Sequence, residues 1–133
     1  YDLTEEEIDY KIKMMLIDIG LVDRVNFKPR FLSEGEKQLV VIGKALIRDP
    51  SLLLIDEAFS HLDELSKNVC FDLITKLKKK HNFNIILVSH SYKDATRLTN
   101  HVLVLEEGKT LLHDTVINCS LSKDEKIIKL TSN

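Results

Sequence analysis

Short, unbroken apolar runs that alternate with amphipathic helical patterns are the feature that most constrains the fold of this chain. Leu52–Ile55, Ile85–Val88 and Val102–Leu105 are such runs, and each follows a segment with apolar residues at helical spacing. Continuous apolar strands are typical of parallel sheets whose two faces are both covered by helices. The pattern therefore predicts an α/β fold in which Leu52–Ile55 is a buried strand.

Two capping boxes mark where helices begin. Thr4 with Glu7, and Ser33 with Glu36, have the Ser/Thr-x-x-Glu spacing in which the two residues cap each other's backbone N–H groups. An amphipathic pattern follows each box. The second pattern is expected to end near residues 49–50, because the proline disfavours helix at the residue before it.

Charged and imidazole side chains follow two of the predicted strands. Asp56 and Glu57 come directly after the first strand, and His90 follows the second. Ligands and catalytic groups gather at the carboxyl ends of parallel strands. A carboxylate at the end of a buried strand is costly unless a cation or strong hydrogen-bond donors pair with it. The position of Asp56 therefore predicts that it binds Mg²⁺ directly or through water. Glu57 would deprotonate an attacking water. The alternative is a strand-end turn with two solvated acids.

Three sequence segments occur in an order that resembles a known protein family. "LSEGEKQ" begins at Leu32 and opens a helix, "LLLIDEAFSHLD" follows about one helix later, and "ILVSHS" follows after another helix and strand. This order resembles the second half of an ATP-binding cassette (ABC) ATPase. Four of the family's motifs have counterparts: Leu32–Glu36 for the signature sequence, Leu52–Asp56 for Walker B, Ser60–Asp63 for the D-loop, and His90 for the switch histidine.

The resemblance covers about Leu3–Asp114. It implies a P-loop NTPase-type cassette ATPase of the α/β class, with a partial parallel sheet flanked by helices and part of the helical signature subdomain. The expected organisation is a portion of the helical signature subdomain at residues 1–49, the C-terminal part of the ATPase α/β core at 50–114, and a C-terminal tail at 115–133.

The resemblance also implies ATP and Mg²⁺ as cofactors. Asp56 would bind Mg²⁺ through water, Glu57 would act as the general base, and His90 would contact the γ-phosphate of ATP. These roles agree with the chemistry expected of the residues at the ends of the strands.

Other implied roles belong to a site that two domains share. Leu32, Ser33, Gly35 and Glu36 correspond to signature residues that contact ATP held by an opposing subunit, because cassette ATPases sandwich two nucleotides between head-to-tail domains. A helix N-terminus is a suitable anion site, although "LSEGEKQ" taken alone is more often only a capped helix. Asp63 would lie at the dimer interface.

The chain also departs from the family pattern. The phosphate loop G-x-x-x-x-G-K-[ST] does not occur among its four glycines, Glu34 replaces the first signature glycine, and Leu39 replaces an arginine. The simplest explanation is a fragment that begins mid-domain. The parent protein would be an ATP hydrolase, whereas the 133-residue chain alone would be inactive and would expose an apolar sheet face.

Among cassette proteins, the sequence looks most like importer ATPases, and the GEK and VSHS strings are similar to the molybdate-type branch. The implied partners are a second nucleotide-binding domain and transmembrane permease subunits, which would place the protein peripherally on the cytoplasmic face of a membrane. One alternative is a non-transport ABC ATPase that acts on DNA or the ribosome; another is a catalytically silent half-domain. Nucleic acid is not an expected partner, because the net charge is −2 and no long heptads flank the motifs.

Overall fold

The computed structural model describes residues 3–122 and 125–131. The helices in these ranges are α1 (Glu5–Asp18), α2 (Glu34–Leu46), α3 (Glu64–His81), α4 (Tyr92–Leu98), α5 (Val116–Leu121) and α6 (Glu125–Thr131). The strands are β1 (Leu52–Asp56), β2 (Asn84–Val88), β3 (His101–Glu106) and β4 (Lys109–Thr115). Two short 3₁₀ turns, Val22–Arg24 and Pro29–Phe31, connect α1 to α2.

The chain divides into two compact units. The first contains the described residues up to Leu53 together with His61–Asn84, and the second contains Leu54–Ser60 and the described residues from Ile85 onward. The domain boundaries expected from the sequence, 1–49, 50–114 and 115–133, stay predictions. Residues 1 and 2 of the first expected segment, and residues 123, 124, 132 and 133 of the expected tail, lie outside the described residues.

Both predicted capping boxes are confirmed at the starts of α1 and α2. Thr4 Oγ1 accepts a hydrogen bond from the Glu7 backbone N–H at 3.3 Å, and the Glu7 carboxylate accepts one from the Thr4 N–H at 2.8 Å. Ser33 and Glu36 make the same pair of bonds at 3.1 and 2.8 Å. Each box satisfies two helix N–H groups that otherwise lack a partner.

The second helix ends earlier than the sequence predicts. Leu46 is its last residue, and Asp49 then takes a left-handed conformation with φ = 50°. The Asp49 N–H donates to the Leu46 carbonyl at 2.9 Å, which satisfies one of the free carbonyls at the helix C-terminus. The left-handed residue, rather than the following proline, therefore closes this end of α2.

The core of the first unit lies between its helices. Gly43 lets α1 approach α2 closely, because a Cβ at this position would lie 3.2 Å from both Met15 Cγ and Ile19 Cδ1. The helices α2 and α3 also pack against each other. Their buried apolar side chains are Leu39, Ile42, Leu46, Cys70, Phe71, Ile74 and Leu77. Each large side chain buried in this way contributes about 1.5–3 kcal/mol to folding.

The strands form two separate pairs. In β1 and β2, Ser51 O accepts from Asn84 N at the start of the pair and Val88 O accepts from Glu57 N at its end, so the two strands run parallel. The strands β3 and β4 form an antiparallel hairpin, in which α4 packs against β3 and α5 against β4. Glu107 and Gly108 close the hairpin with φ of 49° and 75°, as a two-residue turn with two positive φ angles requires.

The prediction that β1 is fully buried is wrong. Leu53 and Ile55 are buried, whereas Leu52 and Leu54 are exposed. Successive side chains of a strand point to opposite faces, and the described residues cover one face of β1 only. The same alternation leaves other apolar side chains exposed on the strands: Ile86, Val88, Leu103 and Leu105. An exposed apolar sheet face is what the sequence predicts for a partial domain.

No helix among the described residues is both long enough and apolar enough to cross a membrane.

Candidate functional site

Glu57 lies directly after β1 in a strained turn. Its φ is 47°, a left-handed conformation that residues other than glycine rarely adopt. Its N–H donates to Val88 O at 3.1 Å, and its carbonyl accepts hydrogen bonds from the N–H and the hydroxyl of Ser60 at 3.3 and 2.9 Å. Hydrogen bonds on both sides of Glu57 therefore hold the turn in place, and strain of this kind is common at functional sites.

The Glu57 carboxylate lies beside the imidazole of His90. Glu57 Oε1 is 3.4 Å from His90 Nε2, and the geometry is not that of a hydrogen bond. Oε1 is buried and accepts a hydrogen bond from no described residue, although 30% of the Glu57 side chain is exposed. A buried oxygen without a donor is costly, so this site is suited to a water or ligand that supplies one.

The loop Ser89–Ser91 places His90 at the end of β2. Ser91 is the N-cap of α4, and its hydroxyl accepts a hydrogen bond from the Asp94 N–H at 3.2 Å. The Ser91 N–H donates to the Ser89 hydroxyl at 3.1 Å. These bonds order the backbone on either side of His90, while 95% of the imidazole side chain is exposed and accessible to a ligand.

Asp56 is the last residue of β1 and has an exposed side chain. The described part of the chain contains no cluster of three or more His, Cys, Asp or Glu side chains that would hold a metal ion. Mg²⁺ usually binds one or two carboxylates together with waters and substrate phosphates, rather than an all-protein cage. A single exposed carboxylate next to Glu57 fits a Mg²⁺ of that kind.

The residues predicted to contact a phosphate from α2 take part in helix capping. Ser33 and Glu36 bind each other in the capping box, and Arg24 Nε donates to the Glu36 carboxylate at 3.2 Å. The Ser33 backbone N–H, followed by the Ser33 hydroxyl and the Arg24 guanidinium, lowers the pKa of Glu36. A carboxylate thus already occupies part of the positive end of the helix. Leu32, which is half-buried, ends the preceding 3₁₀ turn.

Gly35 and Asp63 meet at a third residue, Ser66. A Cβ on Gly35 would lie 3.1 Å from the Ser66 Oγ. Asp63 is the N-cap of α3, and it accepts hydrogen bonds from the Ser66 N–H at 2.9 Å and from the Ser66 hydroxyl at 2.7 Å. The backbone bond from Ser66 is the main cause of the lowered pKa of Asp63.

Sequence reasoning missed Ser66. Its position three residues after Asp63 is the N3 position of an Asp-capped helix, so the spacing itself was the available signal. Its proximity to Gly35 is a tertiary contact, which the sequence pattern does not encode.

The candidate residues fall into two groups, each within one unit. The second unit brings together the candidates at the strand ends: Asp56, Glu57 and His90. The first unit holds the candidates at the starts of α2 and α3: Leu32, Ser33, Gly35, Glu36 and Asp63. Their roles in binding and catalysis stay predictions.

Residues 2–60 match the sequence model of a family described as "ABC transporter". Curated relatives include the methionine import ATP-binding protein MetN of Lactobacillus johnsonii, 37% identical over 82% of this chain and 31% of the relative. The aliphatic sulfonates import ATP-binding protein SsuB of Mycobacterium avium is 35% identical over 87% of this chain and 46% of the relative. The SsuB of an Escherichia coli strain is 41% identical over 78% of this chain and 41% of the relative.

The chain therefore spans less than half the length of these curated relatives. Their names give methionine and aliphatic sulfonates, so the molybdate-type assignment receives no support from them.

A solved structure of similar fold is an ATP-binding cassette of an ABC transporter in its ADP conformation. It superimposes with a TM-score of 0.83 over 100% of this chain and 53% of the other chain, at 22% sequence identity. This likeness confirms the predicted α/β fold of the cassette ATPase type. The matching family model and the import ATP-binding relatives show that this chain belongs to the ABC transporter family, as part of a nucleotide-binding domain.

Proposed function

We propose that the full-length protein is the ATP-hydrolysing subunit of an importer, and that Glu57 is its general base. The observation that carries the proposal is the buried Oε1 of Glu57, which accepts no hydrogen bond from a described residue and lies 3.4 Å from His90 Nε2. The Glu57 side chain is 30% exposed, so once this acceptor faces the solvent it would take a hydrogen bond, and then a proton, from a water that attacks the γ-phosphate of ATP.

In this mechanism the chain's own residues orient the attacking water and stabilise the charge that develops on the γ-phosphate. Glu57 orients the water and receives its proton, and the exposed imidazole of His90 contacts the γ-phosphate. Asp56 would hold Mg²⁺ through water, and the chemistry that Mg²⁺ would supply there is positive charge near the phosphates of ATP.

The signature residues would act on a second domain. Gly35, the Ser33 hydroxyl and the amides at the start of α2 would meet ATP bound by the partner of a head-to-tail dimer, with Leu32 and Glu36 beside them and Asp63 at the interface. The exposed start of α2 supports this role, because a helix N-terminus attracts phosphate. The Glu36 carboxylate opposes it, so the partner's nucleotide must compete with an existing capping interaction.

The relatives, whose names describe import ATP-binding proteins, support a proposal for the wider setting. The proposed partners are a second nucleotide-binding domain and transmembrane permease subunits, with the protein peripheral on the cytoplasmic face of the membrane. Because the chain contains no phosphate loop, the 133 residues alone would not hydrolyse ATP.

The test replaces Glu57 by Gln in the full-length protein. We expect ATP hydrolysis to fall by about 10² to 10⁴-fold, because an amide does not take a proton from water, while ATP affinity stays near that of the wild type. Steady-state hydrolysis and equilibrium ATP binding measure the two effects. His90→Ala should give a similar loss of turnover.

Glu107→Gln is the matched control, since it removes a carboxylate from an exposed turn that also has positive φ. It should leave turnover unchanged. Near-normal turnover in Glu57→Gln would show that another group is the base, and loss of ATP binding in that variant would show that Glu57 serves binding instead.

A further inference from the structure

We infer that Ser66 is a positioning residue that holds Asp63 and the first turn of α2 at a fixed separation. The inference rests on the proposed function, because it assigns Ser66 to the surface that would meet the partner's ATP. Ser66 itself is not expected to touch the nucleotide.

Two hydrogen bonds fix Ser66 to Asp63. The Ser66 N–H donates to Asp63 Oδ1 at 2.9 Å, and its hydroxyl donates to Oδ2 at 2.7 Å, so both carboxylate oxygens are engaged by one residue. Hydrogen bonds to a charged acceptor are about twice as strong as neutral ones. The Asp63 side chain is therefore held in one orientation at the start of α3.

The same hydroxyl lies against Gly35. A Cβ on residue 35 would be 3.1 Å from the Ser66 Oγ and 3.3 Å from the Ser66 Cβ. Contacts this short would require the Ser66 side chain to give way by a few tenths of an ångström. A glycine at position 35 lets the Ser66 hydroxyl reach Asp63 without such a shift. One side chain thus connects the D-loop counterpart to the signature counterpart.

This contact sets how the two segments would be presented together to a partner. If Ser66 positions Asp63 and the first turn of α2, loss of its hydroxyl should slow the steps that need the dimer. The affinity of the rest of the domain for ATP should not change. A capping residue with a purely structural role would instead change stability alone.

The experiment compares Ser66→Ala and Ser66→Thr in the full-length protein. Ser66→Ala removes the hydroxyl and should lower kcat about tenfold, with the KM for ATP unchanged, because misplaced groups cost turnover. Ser66→Thr keeps the hydroxyl and should retain at least half of the wild-type kcat. ATP-driven dimer formation, followed by size-exclusion chromatography in a Glu57→Gln background, should weaken in the Ala variant and persist in the Thr variant.

Thr4→Ala is the control, since Thr4 caps α1 in the same unit and contacts neither segment. Its kcat should equal that of the wild type. The inference is overturned if Ser66→Ala behaves like Thr4→Ala, or if Ser66→Thr loses as much activity as Ser66→Ala.

A second measurement is independent of ATP. Gly35→Ala should destabilise the 133-residue chain less in a Ser66→Ala background than in the wild type, because the crowding oxygen is gone. Additive changes in the urea midpoint would contradict the contact. Absence of Glu57-dependent hydrolysis in the wild type would instead count against the proposed function, and this result is distinct from both Ser66 outcomes.

Discussion

Asp49 joins three segments of the first unit at a single side chain. Its carboxylate accepts a hydrogen bond from Lys11 of α1 at 3.0 Å and lies 3.4 Å from Nδ1 of His81 at the end of α3. Asp49 itself follows α2 in a left-handed conformation, which Asp adopts more easily than most residues. Neighbouring Lys80 donates to Asp18 at 2.7 Å, so charged pairs connect α1 and α3 at a second point.

These interactions make the stability of the unit depend on pH. The hydrogen bond from Lys11 is the main cause of the lowered pKa of Asp49, with smaller contributions from the charges of Lys11 and His81. A group with a depressed folded pKa stabilises the protein above its unfolded pKa, about 3.9 for Asp, and this contribution is lost as pH falls through the folded pKa.

We therefore expect Asp49→Asn to be less stable than the wild type at pH 6, with the difference shrinking as pH falls to 3. Asn also tolerates the left-handed conformation, so the change removes charge more than backbone fit. Urea unfolding of the chain at both pH values measures the effect. Asp9→Asn is the control, because Asp9 is an exposed residue of α1. A wild-type advantage over Asp49→Asn that is equally large at pH 3 would contradict the assignment.

At the scale of single elements, the sequence was most informative where neighbouring residues interact. The Thr4 and Ser33 boxes depend on contacts within three residues, so residue type and spacing predict them.

Burial was less predictable, because it depends on what covers an element. The apolar run of β1 indicates a strand with two covered faces, yet the described residues cover one. The positive φ of Glu57 was also unpredicted: it follows from hydrogen bonds to Val88 and Ser60, and the first of these partners lies on another strand. The proximity of Glu57 and His90 was expected from the strand-end rule, whereas the unsatisfied oxygen was not.

The packing of α1 on α2 gives a prediction about Gly43. Gly43→Val would place side-chain atoms where Met15 and Ile19 already lie within 3.2 Å of a Cβ. Overpacking of this kind costs about 1–3 kcal/mol. Urea unfolding of the chain should show a loss of stability of that size.

Ala45→Val is the control, because Ala45 lies on the exposed side of the same helix and should lose only about 0.5 kcal/mol of helix propensity. Adding Ile19→Val to Gly43→Val removes the Cδ1 atom and should recover part of the loss. If Gly43→Val were as stable as Ala45→Val, α1 would have to pack on α2 less closely than the structure shows.

At the scale of the whole molecule, the chain spans 31–46% of the length of the curated relatives MetN and SsuB. Alternate apolar side chains of β1, β2 and β3 are exposed. We propose that the remainder of the nucleotide-binding domain covers them in the full-length protein. Exposed apolar surface on strands favours association with other chains.

The isolated 133-residue chain should therefore self-associate through its strands, and polar substitutions there should reduce the association. Leu54 on β1 and Val88 on β2 are 67% and 52% exposed, and threonine suits a strand at both positions. The double variant Leu54→Thr/Val88→Thr should sediment closer to a monomer than the wild type over a concentration series. Val41→Thr/Leu65→Thr makes the same chemical changes on helices, at 57% and 75% exposure, and should sediment like the wild type. Equal shifts in the two double variants would mean that exposed apolar area of any kind drives association, and an unchanged strand variant would show that the strands are not the contact surface.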